Sequence, residues 1–310
     1  MDLWIDTDMG FDDLAAIGLC LAEGARVAGL SVVAGNVPLP RAVANACAAA
    51  EMFGWSMPIL AGADAPLAGA LQTADYVLGP DGMPSAGRRL PAPARGPDPG
   101  DAVAGLAAYL RGGGRDVLAL GPLTNIAHLV RQEPKLAAGM RLTWMGGAFA
   151  RGNHSAVAEF NAAVDPEAID AVLGAGVALI MIGLECCREV LVGLDDLAAL
   201  RALPGPRAAL LADLYEGYVR IAANGARPMA LYDPVAAALA LDPRLATFQP
   251  VHIRAELTGT HTRGMTVIEW RAHKAAPNAR VATQPDAPEI RRRFHAALAH
   301  MSRDRDDRPD

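Results

Sequence analysis

Lysine is almost missing from this 310-residue chain: Lys135 and Lys274 are the only two. Acidic residues outnumber basic ones, 34 to 28, for a net charge of -6 and a pI near 5.7. That balance gives no sign of a phosphate-backbone binder, so no nucleic-acid partner is expected. No unbroken apolar run reaches the roughly 18–20 residues of a membrane span, so no membrane partner is expected either. The start of the chain lacks the basic and apolar regions of a signal peptide, which makes the cytoplasm the expected location. Cysteine is sparse too. Cys20, Cys47, Cys186 and Cys187 form no CxxC spacing, and the adjacent pair cannot easily close on itself. Free thiols in a reducing compartment are the expectation. Repeats and obvious linkers are absent, so residues 1–301 read as one domain, with a disordered tail at 302–310, "SRDRDDRPD".

What is present is alternation. With 52% hydrophobic and 20% charged residues, the chain can bury a sizeable core. Strands are predicted at Leu3–Ile5, Val27–Val33, Asp116–Leu120, Leu142–Met145 and Ala178–Ile182. Between them the pattern predicts helices at Asp13–Ala22, Arg41–Phe53, Ala102–Tyr109, Thr124–Arg131 and Pro166–Leu173. This order predicts an α/β protein, a mostly parallel, Rossmann-like central sheet flanked by helices. Ligands of such sheets bind beyond the carboxyl ends of the strands. "DTDMGFDD", "ALGPLTN" and "MGGAF" all fall at such ends. The Gly-, Pro- and Arg-rich stretch Leu78–Gly100 reads as a long loop, a candidate flap over a site.

"DTDMGFDD" puts Asp6, Asp8, Asp12 and Asp13 within eight residues. Helix capping accounts for one or two of these carboxylates, not for four. Like charges packed at a strand end require a cation or protons to neutralise them. The ligands on offer are hard oxygens with no His or Cys nearby, which points away from zinc and towards Ca²⁺ or Mg²⁺.

The same stretch resembles the DxDxGxDD signature of the inosine-uridine nucleoside hydrolase family. Further stretches agree in the family's order: "VVAGN" (32–36), "LAGADAPL" (60–67), "LGPLTNIA" (120–127), "MGGAF" (145–149), "GNHSAVAEFNAAVDPEA" (152–168), "YDPVAAA" (232–238) and "ELTGTHTRGMTV" (256–267). The resemblance implies a Ca²⁺-dependent hydrolase that cuts ribonucleosides into ribose and free base, acting as a homodimer or homotetramer. It implies that Asp8, Asp13, Asp233 and the main-chain carbonyl of Leu120 hold the metal, and that Asp8 is also general base to the attacking water. Asp12, Asn36, Asn153, Glu159 and Asn161 then grip the ribose hydroxyls, Met145 borders the sugar, and Asp6 stands behind as an acceptor. The chemistry is coherent: a metal acidifies water, a carboxylate takes its proton, and hydroxyl contacts strengthen as the sugar approaches an oxocarbenium ion.

The base side departs from the family pattern. Inosine-uridine-type members carry a His before the late Asp; here that position is Tyr232, a poor acid near pKa ~10 but a flat ring. A purine-specific branch has an aromatic Trp there, so Tyr232 leans towards purines. The family's flap "HG" step corresponds to Leu78-Gly79, with Asp81 and Met83 as nearby candidates to touch the base. "GLDxTH" appears as "GLECCR", with Glu185 and Arg188 substituted. Tyr215, Tyr218, Arg220 and Asn224 are further candidates around the base. Three alternatives remain: a hydrolase for a modified or pyrimidine nucleoside, a non-catalytic ribose-binding relative, and a haloacid-dehalogenase-type phosphatase. The last expects Thr or Val two residues past the second Asp, where Gly10 stands.

Overall fold

A computed structural model describes residues 1–303. Its strands are β1 (Asp2–Thr7), β2 (Arg26–Val32), β3 (Ile59–Ala61), β4 (Asp116–Ala119), β5 (Arg141–Met145), β6 (Ala178–Ile182), β7 (Leu191–Val192), β8 (Met229–Ala230), β9 (Thr247–Ala255), β10 (Thr266–Glu269) and β11 (Ala279–Thr283). Nine form one sheet in the order β10-β9-β11-β6-β5-β4-β1-β2-β3, and β7 with β8 form a small antiparallel pair. From β11 through β6, β5, β4, β1 and β2 to β3 every pairing is parallel. The parallel α/β sheet predicted from the sequence is therefore the observed one. What the sequence pattern did not predict is the edge strand β3, the small pair β7 and β8, and the far end of the sheet, where β11 pairs parallel with β6 and β9 runs against both β11 and β10.

The sheet is buried on both faces, and strand periodicity explains how. Along β1, Leu3 and Ile5 join one core cluster while Trp4 joins the other. Along β4, Leu118 faces the first cluster and Val117 and Ala119 the second. Successive side chains point to opposite faces, so a continuous apolar run fills both. Each fully buried aliphatic of this kind contributes about 1.5–3 kcal/mol. The helices Phe11–Ala22, Asp233–Leu241 and Ala287–Met301 pack together on one face. Ala102–Arg111, Thr124–Gln132 and Pro166–Gly174 contribute to the other. The buried tryptophans satisfy their indole N–H groups: Trp4 donates to Ser31 Oγ at 2.9 Å and Trp144 to the Gly121 carbonyl at 3.1 Å.

Residues 79–100 carry no helix or strand, as expected of the long loop. All four cysteines are free and buried. Among the described residues no helix is long and apolar enough to cross a membrane. Of the tail expected to be disordered, residues 304–310 lie outside the described residues; Ser302 is buried and closes the last helix, donating to the Ala299 carbonyl at 2.7 Å.

Candidate active site

The carboxyl ends of β1, β2, β4 and β5 meet in an open cavity of about 260 Å³, near the lower end of the roughly 300–1,000 Å³ of small-molecule sites. Its floor begins where β1 turns into the helix Phe11–Ala22. Met9 adopts φ +52° in that turn, a conformation uncommon for any residue but glycine. The Asp13 carboxylate ties the turn together, accepting from Thr7 Oγ1 at 2.5 Å and from the Gly10 N–H at 2.7 Å. Asp8 is wedged between two glycines. A Cβ on Gly35 would lie 2.2 Å from Asp8 Oδ2, and one on Gly121 would lie 3.2 Å from Asp8 Cβ. Asn36 orients the Asp8 carboxylate with its N–H (2.8 Å) and its side-chain amide (3.1 Å). Asp233, the first residue of its helix, arrives from the far end of the chain and is buried beside Asp13.

Among the described residues, the carboxylates of Asp12, Asp13 and Asp233 bring ligand oxygens within 4.8 Å of one another. Asp8 is turned towards Asn36, yet remains close enough for the charges of Asp13 and Asp12 to act on it. Burial, then the Asp13 charge, raises Asp8 and Asp233 well above the usual carboxylate range. The same two causes push Asp12 up to about 7. Asp13 is also raised by burial, against the bonds from Thr7 and Gly10 that hold it down. Four carboxylates crowded on one floor repel one another unless positive charge joins them. The donor set is all oxygen, without His or Cys, and it fits a hard divalent cation rather than zinc.

The wall beside this floor is built from β4, β5 and the helix Phe160–Val164. The Leu120 carbonyl, just past β4, accepts from Asn161 Nδ2 at 2.8 Å and has a lone pair to spare. Asn161 also donates to the Met145 carbonyl at 3.0 Å, so both its amide hydrogens are engaged and its Oδ1 is left to accept. Glu159 caps the helix, accepting from Asn161 N (2.9 Å), Gly147 N (2.9 Å) and Ala162 N (3.0 Å). Burial nonetheless raises it to about 7. At the lip, Asn153 accepts from Phe160 N at 2.9 Å, which leaves its NH₂ group to face the cavity. Asp8, Asp12, Asn36, Leu120, Met145, Asn153, Glu159, Asn161, Tyr232 and Asp233 thus all line one cavity. Asp13 lies just beneath it. Asp6 lies deeper, bonded through Oδ1 to Ser31 and Asn125, with Oδ2 buried and unpartnered.

The opposite end of the cavity is apolar, lined by Tyr76, Val77, Leu78, Tyr218, Ile221 and Met229 around Tyr232. No His is among them. Burial pushes Tyr232 up to about 12 and Tyr218 well above its usual range. Leu78 and Tyr218 are where the motifs placed them; several other candidates are not. Asp81 pairs with Arg89 and Arg41, and Met83 is buried in the core, because the loop turns away after Gly79. Of that loop only Leu78, at its edge, borders the cavity. Tyr215 is stacked on Phe11 and buried. Arg220 pairs with Glu216 at the surface, and Asn224, beyond the helix end at Arg220, accepts from Arg220. Tyr76, Val77, Phe160, Ile221 and Met229 were missed. Tyr76 and Val77 carried a signal as large apolar side chains immediately before the Leu78-Gly79 step, and Ile221 and Met229 lie in the 215–229 stretch expected to approach the base.

An oxygen-only, carboxylate-floored cleft at the switch edge of a doubly wound sheet marks a metal-dependent α/β enzyme. The chain belongs to the family described as inosine-uridine preferring nucleoside hydrolases, whose pattern it matches over residues 3–292. As a member it is a hydrolase of the N-glycosidic bond of nucleosides. It is 36% identical to a pyrimidine-specific ribonucleoside hydrolase, RihA, of Shewanella woodyi, over 86% of this chain and 87% of that one. It is 33% identical to a non-specific ribonucleoside hydrolase, RihC, of Klebsiella pneumoniae, over 93% and 95%. Among solved structures it superposes on a purine-preferring ribonucleoside hydrolase from Gardnerella vaginalis with a TM-score of 0.89 at 26% identity, covering 97% of this chain and 99% of that one.

Proposed function

We propose that the chain is a Ca²⁺-dependent ribonucleoside hydrolase in which Asp8 is the general base and the base-side cleft, through Tyr232, favours purines. The reading takes residues 1–301 as one catalytic unit, working in the cytoplasm as a homodimer or homotetramer. Asp8, Asp13, Asp233 and the Leu120 carbonyl would hold the ion, with Asp12 close enough to share in it. When bound, the cation supplies Lewis acidity to water and to the sugar's hydroxyls. Asp8, oriented by Asn36, then takes the proton of the attacking water at its carboxylate. Asp12, Asn36, Asn153, Glu159 and Asn161 grip the ribose, and their bonds tighten as positive charge develops on the ring. Met145 closes the sugar side, and Asp6 supports the floor through Ser31 and Asn125.

The carrying observation for the purine half is the base end itself, which offers an aromatic face and no residue ready to donate a proton near neutral pH. A purine stacked there can be protonated by solvent and depart; a pyrimidine gains less from stacking. The relatives' names favour a second reading, pyrimidine or broad specificity. The intact carboxylate floor disfavours a merely ligand-binding relative. Release of reducing sugar from a panel of ribonucleosides, with and without calcium, tests both halves. Inosine or adenosine turned over faster than uridine or cytidine is expected. A reversed order refutes the purine assignment, and full activity in excess chelator refutes the metal assignment.

A further inference from the structure

The short helix Leu184–Cys187 follows β6 and carries the "GLECCR" variation. Its two unusual residues grip the same piece of main chain from both sides. Glu185 accepts from the N–H groups of Phe149 (3.1 Å), Ala150 (2.9 Å) and Arg151 (3.3 Å). Arg188, at the end of that helix, donates to the carbonyls of Arg151 (2.6 Å) and Gly152 (2.9 Å). The helix start is tied to the same loop, with Leu184 N–H donating to the Gly147 carbonyl at 3.0 Å. Residues 149–152 have no strand or helix of their own, so these charged side chains supply the bonds a regular element would otherwise provide.

The next residue is Asn153. We propose that Glu185 and Arg188 are positioning residues that clamp the loop 149–152 from its N–H and its C=O side and thereby place the Asn153 amide against the sugar of the nucleoside. This rests on the reading of Asn153 as a ribose contact. The clamp fixes where that contact stands and touches neither the carboxylate floor nor the reacting bond. Gly152 locks the far side, since a Cβ there would lie 2.2 Å from the Ala158 carbonyl. The forked guanidinium of Arg188 reaches two successive carbonyls at once, a geometry that a neutral residue of similar length does not reproduce.

The test is a double-mutant cycle on inosine and uridine, reading kcat and KM separately. Arg188→Met should raise KM about tenfold and lower kcat by about three- to tenfold, since the contact it misplaces binds the sugar and strengthens further as charge develops on the ring. Arg188→Lys, which keeps a cation within reach of a carbonyl, should recover part of the loss. Asn153→Ala should also raise KM, and the double variant should be no worse than Asn153→Ala by more than about twofold, because one effect acts through the other. An unchanged KM in Arg188→Met, or fully additive losses, overturns the proposal. If Asn153→Ala alone is harmless, the ribose reading of Asn153 fails instead. The clamp itself is then decided by amide exchange at 149–151, which should quicken in Glu185→Ala, where the carboxylate that accepts from those N–H groups is removed, and whose unchanged protection would refute it.

Discussion

Stripping the protein of divalent cations should make its stability fall steeply as pH rises, and calcium should abolish most of that slope. Asp8, Asp12, Asp13 and Asp233 all have folded-state pKa values above the ordinary 3.8, Asp12 near 7. The folded apo-protein therefore binds more protons than the unfolded chain across the interval between. Stability from this source is fully present below about pH 4 and is lost as pH climbs through the folded values. Each extra proton tilts the unfolding free energy by about 1.4 kcal/mol per pH unit. For a large domain, 1 kcal/mol moves Tm by roughly 2–4 °C, so one extra proton costs roughly 3–6 °C per pH unit. Calcium at about 100 times its Kd adds about 2.7 kcal/mol, and the gain should be larger at pH 8 than at pH 5, where protons compete for the carboxylates. Asp6 and Glu159, also raised to about 7, leave a residual slope that calcium does not remove. Scanning calorimetry of chelated and calcium-loaded protein from pH 5 to 8 measures all of this. A flat apo profile with no calcium upshift would refute a cation site on this floor.

Three further outcomes bear on the chemistry. Asp8→Asn should lower kcat by about 10²–10⁴, the usual contribution of a positioned base, with an unchanged circular dichroism spectrum; near-normal turnover contradicts the base role. Tyr232→Ala should slow purine nucleosides about tenfold and Tyr232→Phe much less, as stacking on an aromatic face requires; equal losses would shift the role to the hydroxyl. Gly35→Ala pushes a methyl to 2.2 Å from Asp8 Oδ2, and displacing that carboxylate should cost about a hundredfold in kcat/KM; a wild-type rate would show that Asp8 can move without penalty.

Strands β1, β2, β4, β5 and β6 were legible because they are short apolar runs, filled on both faces and separated by helical stretches; the three-residue β3 is too short to stand out. The antiparallel end was not. Strand β9 reads "TFQPVHIRA", half polar and interrupted by Pro250. Pro250 is tolerated because β10 pairs only with residues 252–255, so at Pro250 that side of β9 is an open edge. The floor of the site was legible for a different reason: clustered carboxylates at a strand end have few structural explanations. Its finer geometry was not, since the closest approach joins Asp12, Asp13 and Asp233 while Asp8 leans on Asn36. The apolar end was hardest, because Ile221 and Met229 are ordinary core residue types until the chain folds them onto one cavity. Arg188 was equally opaque, since its partners are main-chain carbonyls that carry no sequence signature.

The floor draws Asp13 from the first turn of the chain and Asp233 from its final third, and that has a bearing on assembly. A nascent polypeptide leaving the ribosome displays Asp6 to Asp13 early, yet this cation cradle stays unfinished until the helix beginning at Asp233 docks on Phe11–Ala22. With the ion held as proposed, its capture is a late event in biogenesis, and a chain that stops short of Asp233 lacks the cradle's last wall.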